Sequence, residues 1–94
     1  MNEVRLVILT PAGEAASVEC DHVNLFARDN AAGENGGSVG IRRGHAPAVV
    51  ALEANSAVAA KLDGREVFRT TVSGGFAMVG GDSVTVITAS ANNS

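Results

Sequence analysis

An all-β fold, a sandwich of two sheets made of short and mostly antiparallel strands, is what this sequence predicts. Apolar side chains recur with a period of two along most of the chain. Turn signals such as Asp63-Gly64 and Gly80-Gly81-Asp82 interrupt them at strand-length intervals, and no segment of ten residues or more has the pattern of an amphipathic helix. With 94 residues there is room for one small core. Such a domain buries somewhat over ~60% of the surface its unfolded chain exposes, so a partner can supply part of its stability.

The first strand is Val4-Arg5-Leu6-Val7-Ile8-Leu9, and it stops at Thr10-Pro11-Ala12-Gly13, where proline fixes φ for a turn and glycine tolerates the exit. From Ser17 to Arg28 apolar Val18, Cys20, Val23 and Leu25 alternate with polar residues, and the parity changes once near His22, which predicts a bulge there. Residues 29–38 hold three glycines and almost nothing to bury, and read as an exposed acidic loop. Val39-Gly40-Ile41 is a short strand. Ala48-Val49-Val50-Ala51-Leu52 is apolar at both parities and reads as a strand covered on both sides.

The last third repeats hairpin grammar. Ser56 to Leu62 and Glu66 to Val72 flank Asp63-Gly64, the strongest short hairpin signal in the chain, and Phe76 to Val79 and Ser83 to Thr88 follow. Phe68, Thr70 and Val72, and again Val84, Val86 and Thr88, place one face of each strand on a core. The reading gives eight or more strands, one domain over residues 1–91, and a polar tail over 92–94 with no further element.

Composition excludes several functions. Charged residues make up 18% and aromatics 3% of a chain with net charge -3, so the basic field and the stacking platforms of a nucleic-acid binder are absent and no nucleic-acid partner is expected. The single cysteine, Cys20, cannot form an internal disulfide, which fits a reducing compartment and a cytoplasmic setting. The apolar stretch at the start is too short for a secretory leader. No run approaches the ~18 apolar residues of a membrane helix, so direct insertion into a membrane is not expected.

Nor is there a supported active site. Ser73 lies in Thr71-Val72-Ser73-Gly74-Gly75, which lacks the first glycine of a nucleophile elbow and has no helix after it. Cys20 and His22, two apart, would share a face of a regular strand and offer two metal ligands, with His45 as a third; that spacing matches no standard zinc site, and a buried cysteine beside a surface histidine is the simpler reading. Gly33-Glu34-Asn35-Gly36-Gly37 is neither phosphate-binding glycine motif, lacks the lysine, and contains an acid that would repel phosphate. No cofactor, metal or catalytic residue is expected.

Gly44-His45-Ala46-Pro47, following Val39-Gly40-Ile41, resembles a signature of the F-type ATP synthase epsilon subunit. Thr10-Pro11-Ala12-Gly13-Glu14 is similar to that family's opening turn, and Val72-Ser73-Gly74-Gly75-Phe76 with Val84-Thr85-Val86-Ile87-Thr88-Ala89 to its closing hairpin. The resemblance runs from about Val4 to Ala91. It implies a ten-stranded sandwich in the rotor, a non-catalytic piece that couples the gamma subunit to the c ring and lies peripherally on the cytoplasmic face of a bacterial membrane. It further implies a gamma-subunit interface at Thr10, His45, Ala46 and Val50, and a c-ring interface at Glu34, Ser38, Arg42 and Arg43. The chain departs from the family in Ser38 and Arg42-Arg43, in a longer preceding loop, and in the absence from this sequence of the helical hairpin that follows the sandwich in many members, which reads as a short form, natural or truncated. Two other readings are a small hydrolase or sugar-active sandwich, which lacks paired carboxylates or a nucleophile, and a protein-binding module unrelated to ATP synthase.

Overall fold

The computed structural model describes residues 3–28 and 37–93, and these form ten strands and no helix. In chain order they are β1 (Val4–Thr10), β2 (Gly13–Cys20), β3 (His22–Ala27), β4 (Gly37–Ile41), β5 (Ala48–Leu52), β6 (Ser56–Leu62), β7 (Arg65–Val72), β8 (Gly75–Val79), β9 (Ser83–Ile87) and β10 (Ala91–Asn93). Hydrogen bonding runs in the order β10-β7-β6-β3-β5-β8-β9-β1-β2, with β4 on the other side of β3. The first layer is β10-β7-β6-β3-β4 and the second is β5-β8-β9-β1-β2. They join at one corner, where Ala27 faces Leu52, Arg28 N–H donates to Ala51 O at 3.0 Å and Glu53 N–H to Phe26 O at 2.9 Å. Every pairing is antiparallel except that of β1 with β9.

Alternation builds the core. Val4, Leu6 and Ile8 of β1, with Val84 and Val86 of β9, face Val23 and Leu25 of β3, Val58 and Ala60 of β6 and Val72 of β7, all buried. Between strands, the Asp63-Gly64 turn forms as its sequence predicts, with both residues at positive φ, 53° and 81°.

Several expectations are corrected. The parity change near His22 is not a bulge within one strand: the chain breaks at Asp21, leaving β2 in the second layer and starting β3 in the first. Asp21 anchors that crossing, its N–H donating to Lys61 O at 2.9 Å and its carboxylate accepting from Asp63 N–H at 3.0 Å. The bulges lie elsewhere: Ile8 and Leu9 of β1 face Ala16 and Glu14 and leave Ala15 as the extra residue, and Ala60 and Lys61 of β6 face Phe68 and Glu66 and leave Val67. Gly37 and Ser38, expected in the loop, belong to β4, paired with Ala27 and Phe26; the rest of that segment, including Glu34, lies outside the described residues. Instead of a free tail, Ala91–Asn93 pair with Val72, Thr71 and Thr70, and the buried Thr70 hydroxyl donates to Asn92 O at 2.8 Å. Nor is β5 covered on both sides, as Val49 is 69% exposed.

Candidate partner-binding face

On β5, β8 and β9 the inward parity is apolar, as a core requires, and so is much of the outward parity. Val49 stands opposite Met78, and Phe76 stands between Ala51 and Ile87. Val49, Phe76, Met78 and Ile87 are 69%, 52%, 50% and 45% exposed, and they are neighbours on one sheet face. The remaining outward residues of β9 are Ser83 and Thr85, so these three strands carry no outward charge. Scattered apolar side chains are ordinary on a protein surface, whereas four large ones in contiguous cross-strand positions form a patch that a partner would cover.

The patch continues into an open crevice of about 500 Å³ at the end of the sheet, walled by Leu9, Pro11, Ile87 and Ala89 and floored by Gly74 and Gly75. Its rim is fixed by a hydroxyl network. Ser73 and Thr88 hydroxyls lie 3.3 Å apart, the Thr88 hydroxyl donates to Ser90 O at 3.1 Å, and Ser90 N–H donates to the Ser73 hydroxyl at 3.1 Å. Ser73 is thus a brace between β7 and the end of β9, its hydroxyl engaged by Thr88 and Ser90. On the side of β1 and β2 the face turns polar, where the Arg5 guanidinium donates to the Ser17 hydroxyl at 2.9 Å and pairs with Glu19 at 3.2 Å.

The other chemical candidates are dispersed. Cys20 is fully buried, its Sγ donating to Val4 O at 3.3 Å, and burial pushes its thiol pKa up. His22 points to the opposite surface, its Nε2 donating to Asn24 Oδ1 at 3.3 Å over Gly40. The break at Asp21 therefore separates two side chains that a continuous strand would have put on one face. His45 is half-buried, and its Nδ1 donates to Ala46 O at 2.7 Å. Among the described residues no group of three or more His, Cys, Asp and Glu could hold a metal ion.

Two sets of residues that sequence reasoning grouped by resemblance are regrouped by the fold. Thr10 ends β1 beside the crevice, its hydroxyl accepting from Ala12 N–H at 3.2 Å, whereas His45 and Ala46 precede β5 at the far end of the same layer, near Gly44 N–H, which donates to Gly81 O at 2.7 Å. Val50, on the inward parity of β5, packs against the core, and Val49 takes the outward position. Ser38 lies near the start of β4 and Arg42 and Arg43 just past its end, all exposed, so that about 13 Å of strand separates Ser38 from Arg42. Sequence reasoning missed Phe76, Met78 and Ile87. Their signal was present: Phe76-Ala77-Met78-Val79 is apolar at both parities although its strand buries only one.

Comparison with known proteins follows this geometry. The family model for the ATP synthase delta/epsilon chain β-sandwich domain matches residues 3–94. A search of curated proteins gave no match. Among solved structures, the chain is similar to one in the cryo-EM structure of Euglena gracilis mitochondrial ATP synthase (OSCP/F1/c-ring, rotational state 1), with a TM-score of 0.73 at 20% identity over 97% of this chain. It spans 53% of that longer chain, about half its length, and at this identity the likeness speaks to the fold.

Proposed function

The chain belongs to the family of the ATP synthase delta/epsilon chain β-sandwich domain, and from that premise we propose that it is a non-catalytic central-stalk piece of an F-type ATP synthase, coupling the gamma subunit to the c ring. The observation that carries the proposal is the open apolar face of Val49, Phe76, Met78 and Ile87. An element that passes torque between neighbours needs a complementary surface and no reacting group, and this face presents four large apolar side chains and no outward charge. The gamma subunit is assigned to that face and its crevice, with Thr10 at one end and His45 and Ala46 at the other.

The c ring is assigned to Arg42 and Arg43 together with Ser38 and Glu34, the last on the strength of sequence alone. In this reading the chain lies at the membrane surface through its partners. Consistent with that, no helix among the described residues is long and apolar enough to cross a membrane. Family membership favours this reading over a binding module unrelated to ATP synthase.

The test is ion-driven ATP synthesis by the complex assembled with and without this chain. The expected result is that synthesis falls in its absence and returns when it is added back. Equal synthesis in both preparations would overturn the proposal.

A further inference from the structure

Three strands end the hydrogen-bonded ladder, β10, β2 and β4. Sheet edges expose unpaired backbone groups, and shortness, bulges and charge keep them from pairing with other chains. β10 has three residues. β2 has the bulge at Ala15 and the exposed carboxylates of Glu14 and Glu19. β4, Gly-Ser-Val-Gly-Ile, has none of these protections: it contains no charge and no proline, and its five pairs with β3 run without a shift in register.

The direction of its backbone follows from its neighbours. Phe26 and Arg28 turn their polar backbone groups toward β5, where they bond to Glu53 and Ala51. Backbone direction alternates along a strand, so Val23, Leu25 and Ala27 turn theirs toward β4 and bond to Ile41, Val39 and Gly37. Ser38 and Gly40 therefore direct their N–H and C=O groups outward, and among the described residues β3 is the only strand bonded to β4. Both residues are exposed, and neither has a side chain large enough to shield the edge. Arg42 and Arg43 follow at once, exposed and with no ion pair to a described residue.

We propose that β4 is a strand-addition site for an extended segment carrying carboxylates at one end. The segment bonds to the outward groups of Ser38 and Gly40 and sets its acids against Arg42 and Arg43, so that main-chain bonds supply affinity and the arginine pair sets direction. This inference stands on the strand edge itself and does not depend on which subunit presents the segment.

The probe is the synthetic peptide Asp-Asp-Val-Thr-Val-Thr-Val-amide, titrated into isotope-labelled protein while amide exchange is read by NMR. The Ser38 and Gly40 amides should gain protection, and those of Val39 and Ile41, already bonded to β3, should not change. Ser38→Pro removes an outward donor without removing a bond to β3 and should weaken binding about three- to tenfold. Arg42→Glu combined with Arg43→Glu, which leaves the strand untouched, should weaken it at low salt and have less effect at high salt. No protection at Ser38 and Gly40 with millimolar peptide would overturn the proposal, as would undiminished binding by both variants. Self-association of the chain alone through the same amides would overturn it in favour of a second copy at the edge. None of these results bears on the gamma subunit, which is absent from the assay.

Discussion

Gly75 crosses so close to the carbonyl of Ile87 that a Cβ at position 75 would overlap that oxygen. Its φ is 104°, a conformation that side chains rarely adopt. The contact lets β8 start flush against the end of β9, which sets Phe76 beside Ile87 on the open face and leaves the crevice without a wall at Gly74 and Gly75. Gly75→Ala should accordingly cost about 2–5 kcal/mol, strain and overpacking combined. Chemical denaturation would measure it, and a loss below about 0.5 kcal/mol would contradict the packing described.

Asp21, at the crossing between layers, bonds to the backbone at the end of β6, its N–H to Lys61 O, and its carboxylate holds the Asp63-Gly64 turn. Asp21→Ala should cost about 1 kcal/mol, the ordinary net worth of one hydrogen bond, while Asp21→Asn, which keeps an acceptor oxygen, should recover most of it. Equal stability of the two variants would show that the side-chain bond to Asp63 contributes nothing.

Cys20 should resist alkylation in the folded protein at neutral pH, because its thiol is buried and held in the neutral form. A pKa raised in the folded state means that the folded protein holds this proton more tightly than the unfolded chain. The resulting stability is full below the ordinary thiol range and is lost as pH rises from there through the raised folded value. Stability of the wild type relative to Cys20→Ala should therefore decline with alkaline pH. A flat difference across that range would contradict the assignment.

Much of this fold was legible in the chain, and the misreadings have physical causes. The hairpin at Asp63-Gly64 and the inward rows Phe68, Thr70, Val72 and Val84, Val86, Thr88 could be read directly, because local turn chemistry and a single buried parity determine them. The break at Asp21 could not: a change of parity looks the same whether a strand bulges or passes to the other layer, and only the long-range partner, Lys61, distinguishes the two. The strand at Ala91–Asn93 is short and mostly polar, and its hold on β7 comes from backbone pairing, the Thr70 hydroxyl and the one apolar residue, Ala91, that packs on the core, too little for a periodic signal. The open face was hidden for the opposite reason. Apolar residues at both parities of β5 and β8 suggest burial on both sides, and a surface reserved for another protein has the same sequence pattern as a strand inside a core.

The central claim is that the apolar face of β5, β8 and β9 is where the gamma subunit docks, and calorimetric titration of this chain with the gamma subunit tests it most directly. Val49→Asp and Met78→Asp should each leave thermal stability within about 0.5 kcal/mol, since both side chains are half or more exposed. Each should weaken gamma binding at least about tenfold, the effect of a charge buried without a partner at the centre of an interface. Val67→Asp, an equally conspicuous change at a 48% exposed position on the opposite layer, should leave affinity unchanged. Undiminished binding by the Val49 and Met78 variants, or a loss for Val67→Asp alone, would place the gamma subunit elsewhere and contradict the account.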